Sequence, residues 1–232
     1  MNQEFINALV NGDLETIRTI EKSDLHNHGT RGGNRRTIEK WAKFKIEPPS
    51  AKFSNLTEMQ DWYNAQIRPH CGGLEGYLKR IEAAFLQAKD DGISVLSMSF
   101  GIDEVGVFEN RVEEMIRSIS ELHKGISPNV HFIPELALDR SRNVRESASA
   151  LDAFFEHDYF RSIDIAGNEF GQPIEKFMGI YKRAKDMGLL RKAHVGEFGD
   201  ATSIVEAVEA LELQQIQHGI AAAQSNDVMK YL

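Results

Sequence analysis

Three kinds of feature are scarce in this 232-residue sequence, and each scarcity excludes something. The single cysteine, Cys71, excludes a disulfide within the chain and any metal site built on two or more cysteines, such as the H-x-E…P-C-x-x-C arrangement. No run of about 18 apolar residues is present, so we expect no transmembrane helix and no membrane partner. Lys and Arg number 27 against 35 Asp and Glu, and the net charge of −8 gives no basic footprint for a nucleic-acid partner.

The remaining composition is that of a globular protein. Hydrophobic residues make up 41% and charged residues 27%, which is enough chain for one large domain or two small ones. Residues 1–4 lack the basic segment and apolar core of a signal peptide. Together with the single cysteine, this favours a reducing, cytoplasmic setting.

Beyond residue 73 the apolar pattern predicts strands alternating with helices. The predicted strands cover residues 93–100, 130–138, 160–167, 191–197 and 215–219. Counting a first strand that ends at His28, the sequence contains about six βα units. Such alternation is typical of parallel strands with crossover helices, arranged either as a (β/α)8 barrel or as a doubly wound sheet.

The first predicted strand carries two histidines, His26 and His28. Alternate residues of a strand point to the same face, so both imidazoles can aim at one point. Neutral imidazole is the commonest metal ligand in proteins. Taken alone, the pair could equally be two ordinary surface histidines.

Three later strands also end in polar residues next to glycine, and the carboxyl ends of parallel barrel strands share one rim. There His26, His28 and His194 could bind one divalent ion, with Glu197 as a proton carrier and His218 as a further polar group. A bound metal lowers the pKa of a water ligand to about 7, and a carboxylate can move the proton. Any one of these histidines could instead be structural, and Asp164, in the strand predicted at 160–167, could be a cap or part of a buried hydrogen bond.

Four motifs follow one another along the chain: Asp24-Leu25-His26-Asn27-His28, Asp164-Ile165-Ala166-Gly167-Asn168-Glu169, Ala193-His194-Val195-Gly196-Glu197 and Gln217-His218-Gly219. In this order they resemble the adenosine deaminase family of the amidohydrolase superfamily, and the similarity runs from about residue 23 to the end.

The resemblance implies a (β/α)8 TIM-type barrel of the metal-dependent hydrolase kind that holds one Zn²⁺ and removes an amino group by hydrolysis. It implies that the zinc ligands are His26, His28 and His194. It also implies that Glu197 shuttles a proton to the purine ring and that His218 orients and polarises the attacking hydroxide. The backbone of Gly167 would contact the purine.

The sequence departs from the family pattern in two places. Gly29-Thr30-Arg31 stands where relatives that act on adenosine carry Leu-Asp-Gly, so a different purine nucleoside, a nucleotide or another amine is expected as substrate. The Ser-Leu-Asn-Thr-Asp-Asp-Pro stretch, which supplies two aspartates, is absent. From this absence we expect an incomplete barrel, completed by a second polypeptide fragment or left by truncation, with a rearranged fold as the less favoured alternative. We also expect weak or no turnover from this chain alone.

The predicted organisation is an N-terminal helical arm over 1–22 and an incomplete (β/α) barrel catalytic domain over 23–232. An insertion at about 30–73 follows the first strand, and we expect residues 37–73 to be irregular. The insertion either covers a site or is a packed excursion of the chain.

The insertion begins with three arginines, Arg31, Arg35 and Arg36. They form either a solvated loop or one that meets an anion such as a nucleotide phosphate.

The function expected from the sequence is a zinc-dependent hydrolytic deaminase of purine metabolism, acting on a small purine nucleoside-like substrate. Two alternatives stay open. One is a non-catalytic relative that binds a purine or a partner protein. The other is a different metal-dependent amidohydrolase, such as an amidase or phosphoesterase.

Overall fold

A computed structural model describes residues 3–232 of the chain. The predicted N-terminal arm, 1–22, starts with two residues that lie outside this range. The described part of the arm forms two helices, α1 (Gln3–Asn11) and α2 (Leu14–Thr19). Asp13 caps α2, because its Oδ1 accepts a hydrogen bond from the backbone N–H of Thr16 at 3.1 Å.

Six strands form one sheet in the sequential order β1-β2-β3-β4-β5-β6. They are β1 (Lys22–His28), β2 (Ile93–Gly101), β3 (His131–Asp139), β4 (Ser162–Ala166), β5 (Leu190–Val195) and β6 (Gln215–His218). The pairs β3–β4, β4–β5 and β5–β6 are parallel. A doubly wound sheet reverses its strand order at a switch point, so the unbroken sequential order favours the barrel arrangement.

Helices connect the strands, as the periodicity predicts. They are α5 (Gly73–Asp90), α6 (Val112–Ile126), α7 (Val144–Phe155), α8 (Met178–Asp186), α9 (Ala201–Leu211) and, after β6, α10 (Asn226–Tyr231). Short 3-10 turns cover Ile102–Phe108, Ile174–Phe177 and Ile220–Gln224. Among residues 3–232, no helix combines the length and the apolar character needed to cross a membrane.

The prediction of irregular structure over 37–73 is wrong in part, because this segment contains α3 (Arg35–Ala42), which begins just before it, and α4 (Leu56–Gln66). Asn34 caps α3 by accepting from the N–H of Arg36 at 2.8 Å. Helix α4 buries no residue completely, and its half-buried residues include four apolar ones at helical spacing, Leu56, Met59, Trp62 and Tyr63. A short 3-10 turn, Arg68–His70, precedes α5.

The Cα positions cluster into two compact units. The first comprises Met1–Glu47, Gln66–Met98 and Glu113–Ile133, and the second comprises Pro48–Ala65, Ser99–Val112 and Pro134–Leu232. The first unit buries residues of α5 and α6, among them Ile81, Phe85 and Ile119. The second buries β4 and the helices beside it, for example at Ile163 and Phe177.

The second unit also buries a polar cluster on β3, β4 and β5. Glu135, Ser162 and Lys192 are each at most 1% exposed. The Lys192 ammonium pairs with the Glu135 carboxylate, which also accepts from the Ser162 hydroxyl at 2.7 Å. The register places Glu135 beside Ser162 on the neighbouring strand. We call these three residues the closed cluster, because the groups satisfy one another without solvent.

Candidate active site

On β1, both predicted histidines are half-buried. The ring centroids of His26 and His28 lie 5.4 Å apart, with the planes at 63°. Strand alternation therefore places both rings on one side, as the spacing predicts. The Asp24 carboxylate supports this strand end, accepting from the backbone N–H of His26 at 3.1 Å and from the Asn27 side-chain amide at 2.7 Å.

On β5, His194 lies beside a buried carboxylate of β4. His194 is 7% exposed and Asp164 is fully buried. The distance from His194 Nδ1 to Asp164 Oδ2 is 2.7 Å, which leaves Nε2 as the ring nitrogen that can coordinate a metal. Burial lowers the pKa of His194, but Asp164 and the more distant Glu197 and Glu135 outweigh it, so the pKa is raised overall.

The structure brings three of the predicted residues together. One ligand atom each from His26, His28 and His194 lies within 4.8 Å of the other two. This grouping is one that could hold a metal ion, because three imidazole nitrogens are a known ligand set of catalytic zinc. The donor set of three imidazoles, one oriented by a carboxylate, is chemistry that a divalent transition metal accepts.

The predicted proton carrier, Glu197, and the residue predicted to orient the hydroxide, His218, lie next to each other in the second unit. His218 Nε2 is 3.3 Å from Glu197 Oε2, and the two side chains are 28% and 31% exposed. Burial lowers the pKa of His218, the Glu197 carboxylate raises it and His194 lowers it, with a net decrease. The His194 and His218 ring centroids are 5.1 Å apart. This pair combines a solvent-accessible acid–base group with a position beside a candidate metal ligand.

Local backbone conformation places these two residues. His218 has a φ of +66°, which is uncommon for a residue with a side chain and is enriched at functional sites. Gly196, just before Glu197, has a φ of +71°, and a Cβ there would lie 2.5 Å from Ile204 Cδ1. Glycine at 196 therefore lets the chain leave β5 tightly and bring Glu197 back over the strand end.

The predicted substrate contact, Gly167, follows β4 with a φ of +91°. This φ lies in the left-handed region that favours glycine, and a Cβ here would lie 2.7 Å from Asp139 Oδ1, at the end of a side chain. Its contact with a purine stays a prediction.

Arg31, Arg35 and Arg36 have exposed side chains, and Arg35 lies 3.5 Å from the Glu39 carboxylate. This exposure is compatible both with a solvated loop and with a loop that meets an anion such as a nucleotide phosphate.

The sequence reasoning missed the role of one residue in this region and left another open. Glu169 belongs to a quoted motif but received no function; in the structure it is 6% exposed and accepts backbone N–H groups of the loop that carries Glu197. Asp164, considered as a cap or a buried hydrogen bond, pairs with His194. Strand alternation could have revealed it, because Asp164 lies two residues after Ser162 on the same inward face.

Two histidines outside the predicted site have structural partners. His123 Nε2 lies 3.0 Å from the carbonyl oxygen of Val130, and its ring packs near Phe85. His70 stacks on Phe44 with ring centroids 3.8 Å apart. Neither belongs to the three-histidine group.

Comparison with known sequences matches this chain to adenosine and adenine deaminases. The profile of the family described as adenosine deaminase matches residues 97–232. A Treponema pallidum protein named as an adenosine/adenine deaminase is 29% identical over 219 residues, which is 94% of this chain and 73% of that protein. An adenosine deaminase of Vibrio parahaemolyticus is 27% identical over 248 residues, 93% of this chain and 70% of that protein.

Solved structures show the same fold. An adenine deaminase from Arthrobacter aurescens aligns with a TM-score of 0.73 at 21% identity, over 93% of this chain and 69% of that one. A Burkholderia ambifaria amidohydrolase with bound Zn gives 0.69 at 18% identity, over 93% and 63%. Arabidopsis ADAL complexed with GMP gives 0.72 at 16% identity, over 93% and 69%. The comparisons bring no support for a second polypeptide fragment that completes the barrel.

The predicted fold class is confirmed: the chain has the (β/α)8 TIM-type barrel fold of the deaminases, with six of its βα units. The matched family profile covers more than half of the sequence, including β4, β5 and β6 with their polar ends. On this basis the chain belongs to the adenosine deaminase family, a family of hydrolytic deaminases.

Proposed function

We propose that this protein is a metal-dependent aminohydrolase that removes an amino group from a purine base, nucleoside or nucleotide. The observation that carries the proposal is the convergence of three imidazole ligand atoms within 4.8 Å of one another. The paired Glu197 and His218 beside His194 add the proton-handling groups that hydrolysis needs.

The metal in this proposal is zinc, held by His26, His28 and His194. Three imidazole nitrogens with a position open for water are the ligand pattern of catalytic zinc, and a relative of the same fold is described with bound Zn. When bound, the metal supplies Lewis-acid activation of water, whose pKa it lowers to about 7. Asp164 holds Nδ1 of His194, which fixes the ring orientation and leaves Nε2 to coordinate.

In this proposal the chain's own groups move the protons. Glu197 takes a proton from the attacking water and delivers it to the purine ring nitrogen, since its carboxylate is partly exposed and lies next to His218. His218 orients and polarises the attacking oxygen. Its lowered pKa keeps the imidazole neutral near pH 7, so its Nε2 can accept or donate a hydrogen bond as its tautomer allows.

The substrate is proposed as a purine with an exocyclic amino group, and the backbone of Gly167 is proposed to contact its ring. The relatives are named for adenosine and for adenine, and one structure of the same fold holds GMP. The Gly29-Thr30-Arg31 sequence argues against adenosine as the best substrate. An exposed Arg31 next to the metal-ligand strand favours a nucleotide, because guanidinium groups bind phosphates through paired hydrogen bonds. A reducing, cytoplasmic setting belongs to the same proposal.

The test is ammonia release from a panel of adenine, adenosine, N6-methyladenosine and the corresponding 5′-monophosphates, with zinc supplied. We expect release from at least one member and a loss of about 10²–10⁴-fold in kcat for Glu197→Gln, since this is the range that general acid–base catalysis contributes. Glu209→Gln is the matched control, because Glu209 lies exposed on α9 of the same unit.

Other outcomes separate the alternatives. Tight zinc and purine binding without ammonia release favours the non-catalytic relative. Cleavage of amides or phosphate esters without deamination favours a different amidohydrolase. An intact-mass measurement on the purified active material tests whether a second fragment contributes to turnover.

A further inference from the structure

Glu169 makes an unusual set of hydrogen bonds to the loop after β5. Its Oε1 accepts from the backbone N–H of Glu197 at 3.1 Å, and its Oε2 accepts from the N–H of Phe198 at 3.1 Å and from the N–H of Gly199. Glu169 itself lies in the loop after β4 and is 6% exposed. One buried carboxylate therefore binds three consecutive backbone donors of a neighbouring loop.

The surrounding loop is shaped for this contact. A Cβ on Gly199 would lie 2.8 Å from Glu169 Oε2 and 2.7 Å from Ser203 Oγ, so a side chain at 199 would push the carboxylate away. Hydrogen bonds to an ionised carboxylate are about twice as strong as those between neutral groups, and those of a buried carboxylate gain further from the low local dielectric. These hydrogen bonds therefore hold the backbone of residues 197–199 in place, in addition to satisfying its N–H donors.

The anchored segment starts at the proposed proton carrier. Glu197 is the first of the three donors, and its side chain, 31% exposed, extends from this backbone to within 3.3 Å of His218. The side chain of a partly exposed glutamate can change rotamer, so the position of its Cα determines which points its carboxylate can reach. Displacing a catalytic group by about 1 Å can lower a rate by about 10²-fold.

We propose that Glu169 is a positioning residue that fixes the backbone of Glu197 and thereby sets the reach of the Glu197 carboxylate. This inference rests on the proposed function, in which Glu197 moves the proton. In this role Glu169 acts through the backbone of Glu197, to which it is hydrogen-bonded.

The experiment compares Glu169→Ala and Glu169→Gln with wild type in the zinc-loaded full chain. Hydrogen–deuterium exchange over residues 195–203 reports on the loop directly. We expect faster exchange at amides 197–199 in Glu169→Ala, a loss of about 10–100-fold in kcat, and KM and metal content within about twofold of wild type. Glu169→Gln keeps one acceptor oxygen and is expected to recover part of both the protection and the kcat.

Leu151→Ala, in the buried core of α7, controls for a general loss of stability. It should lower the melting temperature without changing exchange at 197–199 or kcat at 25 °C. The proposal is overturned if exchange at 197–199 is unchanged in Glu169→Ala, if kcat stays at the wild-type value despite faster exchange, or if Leu151→Ala gives the same loss of kcat. Should wild type release no ammonia from any purine, the proposed function fails, while the exchange data still decide whether Glu169 holds the Glu197 backbone.

Discussion

Two buried pairs of a basic and an acidic side chain lie in the interior of the second unit, and they differ in the chemistry that the basic side chain offers. Lys192 and His194 project from β5 two residues apart, so they face the same side of the sheet. Lys192 pairs with Glu135 and His194 with Asp164. All four side chains are buried, yet only the second pair belongs to the candidate active site.

The difference lies in the kind of basic side chain. In the closed cluster the Glu135 carboxylate meets both the Lys192 ammonium and the Ser162 hydroxyl. In the other pair, the Asp164 carboxylate faces Nδ1 of His194, and an imidazole held in this way is a common metal ligand, which an ammonium is not. Both pairs are buried, so burial alone does not indicate function; the presence of a side chain that can coordinate a metal does.

The largest effect is expected from breaking the closed cluster. Glu135→Ala leaves the Lys192 charge buried without its partner, and removing one member of a buried ion pair costs about 3–5 kcal/mol of unfolding free energy. Urea unfolding measures this loss. The double variant Glu135→Leu with Lys192→Met is expected to recover most of it, because well-packed apolar residues can replace a buried pair. If Glu135→Ala unfolds like wild type, the closed cluster is not what stabilises this part of the core.

A smaller effect, on zinc affinity rather than on stability, is expected at the pair of His194 and Asp164. Asp164→Ala removes the carboxylate that orients His194, and loss of such an outer partner typically lowers metal affinity by about 10–100-fold. Competition for zinc against a chelator of known affinity measures the change. Asp164→Asn, which can still accept a hydrogen bond, should lose less. Equal zinc affinity in wild type and Asp164→Ala would show that this pair is structural, like the closed cluster.

The smallest effect is expected from an exposed carboxylate that only caps a helix. Asp200 Oδ1 accepts from the N–H of Ser203 at 2.9 Å at the start of α9. Asp200→Ala should cost about 1 kcal/mol of stability, the usual value of an N-cap. Zinc affinity should stay at the wild-type value. A loss of zinc binding in this variant would mean that metal affinity follows general stability, and the contrast between the two buried pairs would lose its meaning.

The regular part of the fold could be predicted from the sequence because its signals are strong and local. Apolar strands and helical stripes alternate from residue 73 onward, and each predicted strand lies within two or three residues of an observed one. The segment 37–73 could not be predicted in the same way. Helix α4 buries none of its residues completely, and its few apolar positions, Leu56, Met59, Trp62 and Tyr63, follow Pro48-Pro49, which indicates a loop.

The candidate site was predictable where spacing fixes geometry. The His26–His28 pair follows from strand alternation, and the approach of His194 follows from strand ends sharing a rim. Glu169 was not predictable, because its partners are backbone groups 28–30 residues away and leave no pattern in side-chain identities. For the closed cluster, the sequence predicts burial but not the role. A charged residue at an inward strand position can be either structural or functional, and the pattern does not distinguish the two.

The most direct test of the account is the metal content of the purified protein, measured by mass spectrometry after zinc loading and removal of free metal. We expect about one zinc ion per chain in wild type and a large loss of zinc in each of His26→Ala, His28→Ala and His194→Ala. The control His123→Ala should keep the wild-type zinc content, because His123 packs near Phe85 and lies outside the three-histidine group. Wild-type protein without zinc, or zinc that persists in all three variants, would contradict it.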